Sequence, residues 1–311
     1  MTESPAARGT IEPLRPADVA RLRLAAGGAI DPTDARALLS EYPDRSVWVP
    51  STLEFALLVP WRHRPEIAHV QTLSAVGNAE ALLRAAAARS RFQGDDLLLL
   101  IDVNESRRPS FYGRAGLNPL EDVITYEFDP TRRHEAPAGR LRFRFADAAD
   151  AADLTVLGRI DRDAFPWLWR NSDDEFRVYG ATPGVELLLG FDGDVPVSYA
   201  GLTRYPGWGH LDRIAVRRDR QGLGFGRETL AFAVERMART GARRIGLSTQ
   251  FDNGRSQRLY ERFGFRRSPG SDYRLYGVDF RPEEAKAMAA GEAEAADRPQ
   301  LVSGGREVAE D

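Results

Sequence analysis

Two short stretches of the chain hold residues whose types and spacing do chemistry. The first is RDRQGLGFGRETL, from Arg218 to Leu230, with glycines at 222, 224 and 226 directly ahead of a helical pattern. Glycines let a chain turn tightly and leave successive backbone N–H groups uncovered. The positive end of the following helix adds roughly half a charge to the same place. Such a loop is built to hold an anion. The second stretch is DNGRSQRLYERFGF, which sets Asn253 and Tyr260 about two helical turns apart, on one face. A phenol with an ordinary pKa near 10 can donate a proton to a developing anion. Upstream of both, His210 and Asp212 in GHLDRIAV alternate with Leu211 and so point to one side of a strand. Either is a candidate to accept a proton.

The choice of anion follows by elimination and then by likeness. Walker-type phosphate loops need Gly-Lys-Ser/Thr at the helix start, and the only lysine, Lys286, lies in an acidic tail. The dinucleotide pattern G-x-G-x-x-G fails because Arg227 or Thr229 stands where the third glycine belongs. What is present is Gln221-x-x-Gly224-x-Gly226 between a strand and a helix. The next strand–helix step carries Asn253, Ser256, Leu259, Tyr260, Gly264 and Phe265. These two segments resemble the two signatures of the GCN5-related N-acetyltransferases (GNAT), over roughly Leu141 to Phe280.

The resemblance implies acetyl-coenzyme A as the donor and no metal. Backbone groups of Ile214, Ala215 and Val216 would bond the pantetheine amides. Gln221, Gly222 and the amides of Leu223, Gly224, Phe225, Gly226 and Arg227 would hold the pyrophosphate. Asn253, with Ser256 in the same motif, would reach the pantetheine; Asn is equally suited to cap a helix. Tyr260 would be the general acid, with Asp212 and His210 as candidate bases beside water relays. Arg217, Arg218 and Arg220 are candidates for the outer phosphates. The segment FPWLWRNSDDEF falls where the family binds its acceptor: Trp167, Trp169, Asp173, Asp174 and Glu175 would form an aromatic wall and an acidic lip, unless the Trp residues are core. With no cysteine in the chain, transfer should be direct, in a complex holding both substrates. The expected acceptor is the primary amine of a small molecule. Acetylation of a protein N-terminus or lysine, or a non-catalytic acyl-coenzyme A sensor, are the alternatives.

The elements around these residues read as strand–helix–strand units. Strands are expected over VELLLGFDGDVPVSYAGLTRY, turning at Asp192-Gly193-Asp194, then over GHLDRIAV, RRIGLSTQ and YRLYGVDF. Leu230, Val234, Met237 and Ala238 recur at helical spacing before Gly241. The first half repeats this order: at a constant offset of 148, Tyr112 matches Tyr260, Arg114 matches Arg262 and Gly116 matches Gly264. The fold class is α/β (α+β mixed sheet): two tandem GNAT-like domains, each a twisted mixed central sheet flanked by helices. The expected bounds are 1–135 for a degenerate copy, 139–282 for the active copy and 283–311 for a disordered tail. The first copy's loop, Ser74-Ala75-Val76-Gly77-Asn78-Ala79, keeps one glycine and sets bulky Val76 where backbone must approach phosphate. Asn104 and Glu105 bracket its Asn position. That copy is expected to bind coenzyme A weakly or not at all, to pack on the active copy and to shape the acceptor site.

Composition bounds the remaining classes. At 42% hydrophobic and 29% charged, 311 residues suffice for two ordinary cores. A net charge of -3 speaks against a nucleic-acid partner. There is no apolar run of membrane-spanning length, and the N-terminus lacks a basic-then-apolar leader pattern, so the protein is expected in the cytoplasm. The absence of cysteine excludes disulfides and thiolate metal sites, and His63, His69, His134 and His210 show no ligand spacing. A monomer or homodimer is expected.

Overall fold

The computed structural model describes residues 9–22, 30–103, 106–131 and 139–287. His134 and most of the expected tail lie outside them, as do Asn104 and Glu105. Two compact units divide the chain. One is drawn from the stretch up to Thr125 together with Thr249–Asp252 and Arg267–Lys286; the other is Tyr126–Ser248 with Asn253–Arg266.

The first unit opens with β1 (Glu12–Pro13), a 3-10 turn (Pro16–Arg21), α1 (Pro32–Glu41) and β2 (Val47–Val49). It continues through β3 (Glu54–Trp61), β4 (Arg64–Ser74), α2 (Ala79–Phe92), β5 (Leu97–Val103), α3 (Pro109–Arg114) and β6 (Asn118–Phe128). Asp31 caps α1 by accepting from the amides of Thr33 and Asp34. Leu82, Leu83 and Ala86 of α2 are fully buried against Ala56, Leu58, Ala68 and Leu98 of the sheet. A second cluster, on Leu14, Leu39, Trp48, Phe55 and Leu57, fills beneath α1.

In the second unit β7 (Arg142–Ala146) leads to α4 (Ala151–Ala164), capped by Asp150. A 3-10 turn (Trp167–Trp169) and α5 (Asp173–Ala181) follow. Then come β8 (Val185–Asp192) and β9 (Val195–Tyr205), joined through Gly193 at φ 62°, as the Asp-Gly-Asp cluster predicts. β10 (Trp208–Val216), α6 (Phe225–Arg239), β11 (Arg244–Gln250) and α7 (Gly254–Phe263) complete the order. Leu154, Leu157 and Ile160 of α4 pack with Phe176, Leu187, Leu189, Tyr199 and Ala215 in one core. After α7 come a short β12 (Arg266–Arg267), a 3-10 turn (Pro269–Ser271) and β13 (Tyr273–Asp279).

Both sheets are mixed, with helices against them, as the sequence reading holds. In the first unit the order is β1-β2-β3-β4-β5-β13-β6, with β4 and β5 parallel. In the second it is β6-β11-β10-β9-β8-β7, with β10 and β11 parallel. The units are not contiguous in sequence, unlike the expected bounds at 135 and 139. The last strand written in the second half, β13, runs antiparallel to both β5 and β6 in the first unit. Gly277 is required there: an added Cβ would lie 2.3 Å from the Leu98 carbonyl. Tyr276 stacks on Tyr112 at 3.8 Å between centroids, and Arg274 pairs with Asp122. Conversely, the end of β6 serves the second unit, where Phe128 packs on Phe263 and Phe265. No helix among the described residues is long and apolar enough to cross a membrane.

Candidate active site

The site begins where two parallel strands part. β10 and β11 are paired from Trp208↔Arg244 to Leu211↔Leu247 and no further. β10 runs on to Val216 paired with β9 alone, and the register slips between Leu211 and Arg213, so Asp212 is a bulge at the point of parting. The edge of β10 from Arg213 to Val216 is therefore left open on one side. Ile214, Ala215 and Val216, the residues expected along the pantetheine, form that edge.

At its end the chain turns through a 3-10 step (Arg218–Arg220) into the glycine loop. Gln221 donates from Nε2 to the Val216 carbonyl (2.9 Å), tying the loop back to the strand. Gly222 and Gly224 sit at φ 80° and 88°, a region that glycine enters at no steric cost. Gly226 is unstrained, with Leu259 of α7 3.5 Å from where a Cβ would stand. Gly224 is the N-cap of α6, and its carbonyl accepts from the amides of Arg227 and Glu228. The five amides from Gly222 to Gly226 have no hydrogen-bond partner among the described residues. Five adjacent donors at a helix N-terminus make an anion cradle sized for more than one phosphate oxygen. Of the basic run, Arg217 pairs with Asp219 (3.0 Å), Arg218 is held by Asp163, and Arg220 lies 3.5 Å from Asp219. Arg227 is exposed and unpaired among the described residues, free to meet an anion at the loop.

The second signature folds as α7. Asn253 is its N-cap and accepts from the Ser256 amide (3.1 Å), so the capping role is realised. Tyr260 is buried, with Tyr126 and Phe265 rings each 6.0 Å away. Burial raises its pKa to about 12, the Ser256 hydroxyl pulling the other way. The phenol therefore keeps its proton throughout the working range of any cytoplasm-like pH.

Asp212 is the hub of a hydrogen-bonded cluster. One oxygen accepts from Tyr179 Oη and Thr203 Oγ1, both at 2.6 Å; the other lies 2.8 Å from His210 Nδ1. The His210 ring is thus oriented by a carboxylate, on the face the alternation predicts. Tyr179 reaches in from α5 across Gly201, where an added Cβ would stand 2.9 Å from the phenol ring. Burial, and then the Asp212 charge, push the Tyr179 pKa well up, so it stays a donor. Neither Tyr179 nor Thr203 was legible as a site residue, since only tertiary packing brings α5 over β9.

Arg213, next along β10, does not pair with Asp212. It is buried against Asp161 (2.5 Å) and Tyr199 (2.8 Å), donates to the Trp169 carbonyl (2.9 Å), and stacks on Phe165 at 3.9 Å. Asp161 also accepts from the Asn171 amide (2.8 Å). This network fixes the aromatic segment. Trp169 is buried and anchors through its carbonyl, whereas Trp167 is half-buried. Asp173 and Asp174 are exposed on the first turn of α5, Asp174 holding Arg177 (2.8 Å) and Asp173 lying 3.9 Å from Arg162. Glu175 is half-buried, and its amide bonds the Ser172 cap.

A parted parallel strand pair leading to bare amides at a helix N-terminus suits an extended ligand that ends in an anion. Residues 154–265 match the Acetyltransferase (GNAT) family, and that segment carries a GNAT-type acyltransferase domain. No curated protein matches it in sequence. Among solved structures, a GCN5-related N-acetyltransferase from Sphaerobacter thermophilus is 17% identical with a TM-score of 0.56, over 90% of this chain and 98% of that one. A tandem GNAT protein from the clavulanic acid biosynthesis pathway, solved without acetyl-coenzyme A, is 14% identical with a TM-score of 0.57, over 88% and 99%. A GCN5-related N-acetyltransferase from Kribbella flavida is 13% identical with a TM-score of 0.59, over 88% and 72%. At these identities the likeness is one of fold.

Proposed function

We propose that the second unit transfers an acetyl group from acetyl-coenzyme A directly to the primary amine of a small molecule. The observation that carries this reading is the open edge of β10 leading to five amides, Gly222 to Gly226, that have no partner among the described residues. An extended chain with amides suits the edge, and a diphosphate suits the loop. Bound there, the donor supplies an activated thioester and a thiol leaving group. Ile214, Ala215 and Val216 would bond its arm, and Gln221 would keep the loop shaped for its phosphates.

The chain's own residues then manage protons. Tyr260 Oη carries the proton offered to the departing sulfur. Because a phenol at about 12 is a weaker acid than a thiol near 8.5, Tyr260 works first as a hydrogen-bond donor to developing negative charge. His210, oriented by Asp212, would take the proton that an ammonium acceptor must lose before it attacks. The exposed carboxylates of Asp173 and Asp174, with Trp167, would draw in and flank a cationic amine.

The first unit, in this reading, is the degenerate copy. Calorimetry with acetyl-coenzyme A tests the binding, and thiol release across a panel of small primary amines tests the transfer. A chain that binds the donor but releases thiol only with peptide amines would move the acceptor to a protein. One that ignores the donor would end the reading.

A further inference from the structure

The first unit holds a cavity that the transfer reaction does not use. Its strands part as in the second unit: β4 pairs with β5 only over Ile67–His69 and Leu97–Leu99, then runs on to Ser74. A cavity of about 410 Å³ opens beyond the last paired residues. About half of its wall is apolar, from Val70, Leu73, Leu100, Ile101 and Val103, and Tyr112 closes one side.

The end where a diphosphate would sit is filled from within. The Glu54 carboxylate, at the start of β3, accepts from the amides of Val76 (2.5 Å), Gly77 (2.7 Å) and Asn78 (3.4 Å), and from the Asn78 side chain. These bonds hold its pKa down to about 2, so the plug is charged at any ordinary pH. The Val76 side chain points to solvent, 98% exposed, so its bulk is not what closes the loop. The loop itself, Ala75–Asn78, is half as long as Arg217–Gly224 in the second unit.

Four polar residues, Arg107, His69, Gln71 and Ser106, line the remaining space. Arg107 brings the cavity's one cation, over the Phe111 ring at 4.6 Å, with no ion pair among the described residues. His69 lines the cavity without a hydrogen-bond partner among the described residues, and burial depresses its pKa to about 4, so it is neutral. Gln71 adds an amide. Asp102 is already engaged by the Ser106 amide (2.9 Å) and hydroxyl and lies beside the Tyr112 phenol. One cation, neutral polar groups and a wall that is half apolar match a single negative charge on a short apolar tail.

We propose that the first unit is a binding site for a small monocarboxylate with an apolar tail, seated between β4 and β5 with its carboxylate on Arg107, and that Glu54 bars nucleotide diphosphates from it. The test is nuclear magnetic resonance on the full chain, following the His69 ring and the Gly77 amide, with sodium octanoate, ADP and pyrophosphate as probes. Octanoate should shift His69 saturably, with a Kd on the order of 1 mM for so few atoms. Arg107→Gln should raise that Kd about tenfold or more. ADP should leave the Gly77 amide of the wild-type chain unmoved, whereas Glu54→Ala should let pyrophosphate shift it and leave octanoate binding intact. The proposal falls if octanoate gives no saturable shift at His69, if Arg107→Gln binds it equally well, or if ADP moves Gly77 in the wild type. These readouts are local to the first unit, so they stand apart from donor binding at Gly222–Gly226.

Discussion

A phenol held near pKa 12 by burial loses nothing to ionisation below about pH 10, so any alkaline limb in the rate profile belongs to another group. Tyr260→Phe removes only the hydroxyl from a ring already packed by Tyr126 and Phe265. It should lower kcat by roughly 10²–10⁴ and leave the acetyl-coenzyme A Kd within about twofold; near-wild-type turnover would end the general-acid role. Asp212→Asn keeps the shape of the cluster on Tyr179, Thr203 and His210 but removes its charge. With His210 as the base, kcat/KM should fall while its acidic limb persists; loss of the limb would make Asp212 itself the base, and an unchanged kcat/KM would dismiss Asp212. Arg213→Met strands the Asp161 carboxylate in the core and should cost about 3–5 kcal/mol in denaturant unfolding. Motif spacing and strand alternation are local properties, and so the sequence alone singles out Tyr260, Asp212 and His210 as candidates. The partners Tyr179, Thr203 and Asp161 were not legible there, because no local rule says which helix will cross which strand.

The two loops are one device in two states. In the second unit Gly222 and Gly224 sit at φ 80° and 88°, and the five amides from Gly222 to Gly226 have no hydrogen-bond partner among the described residues. Gly224→Val forces a β-branched residue into the left-handed region, at a cost on the order of 1–3 kcal/mol. Donor affinity should fall at least tenfold while the melting temperature shifts by only a few degrees; unchanged affinity would show that the loop does not hold the donor. In the first unit the same kind of element spends its amides on Glu54. A carboxylate depressed from 4.5 to about 2 contributes stability that is present above pH 4.5 and lost as pH falls toward 2. Glu54→Gln should therefore melt below the wild type at pH 7, with the gap closing between pH 4.5 and 2. A gap constant across that window would mean the charge does nothing there. The missing glycines were visible in the sequence, but the plug was not, since Glu54 lies on a strand far upstream. The bulk of Val76, offered as the obstacle from sequence, is turned to solvent instead.

At the scale of the whole chain, the order of elements repeats as the offset of 148 implies, but the ends of the repeats do not stay with their own halves. Strand patterning in YRLYGVDF says that these residues form a strand and cannot say which sheet accepts it. Here the sheet is that of the first unit, where β13 lies between β5 and β6, Leu275 and Tyr276 are buried, and Tyr112 has its stacking partner. Residues 1–135 alone would lack the strand that joins β5 to β6, leaving two edges bare and the Tyr112 ring exposed. Residues 139–282 alone would carry β13 with neither neighbour and would lack Tyr126, whose hydroxyl bonds Glu261 (3.0 Å) beside Tyr260. Cutting at the boundary that the sequence suggests should therefore give two poorly cooperative fragments. Mixed at equal concentration, they should recover a cooperative melt and thiol-release activity that neither has alone. Circular dichroism melts of each fragment, of the mixture and of the intact chain decide it. If 139–282 by itself melts as sharply as the intact chain and turns over at the same rate, the exchange of strands has no bearing on the fold or the site.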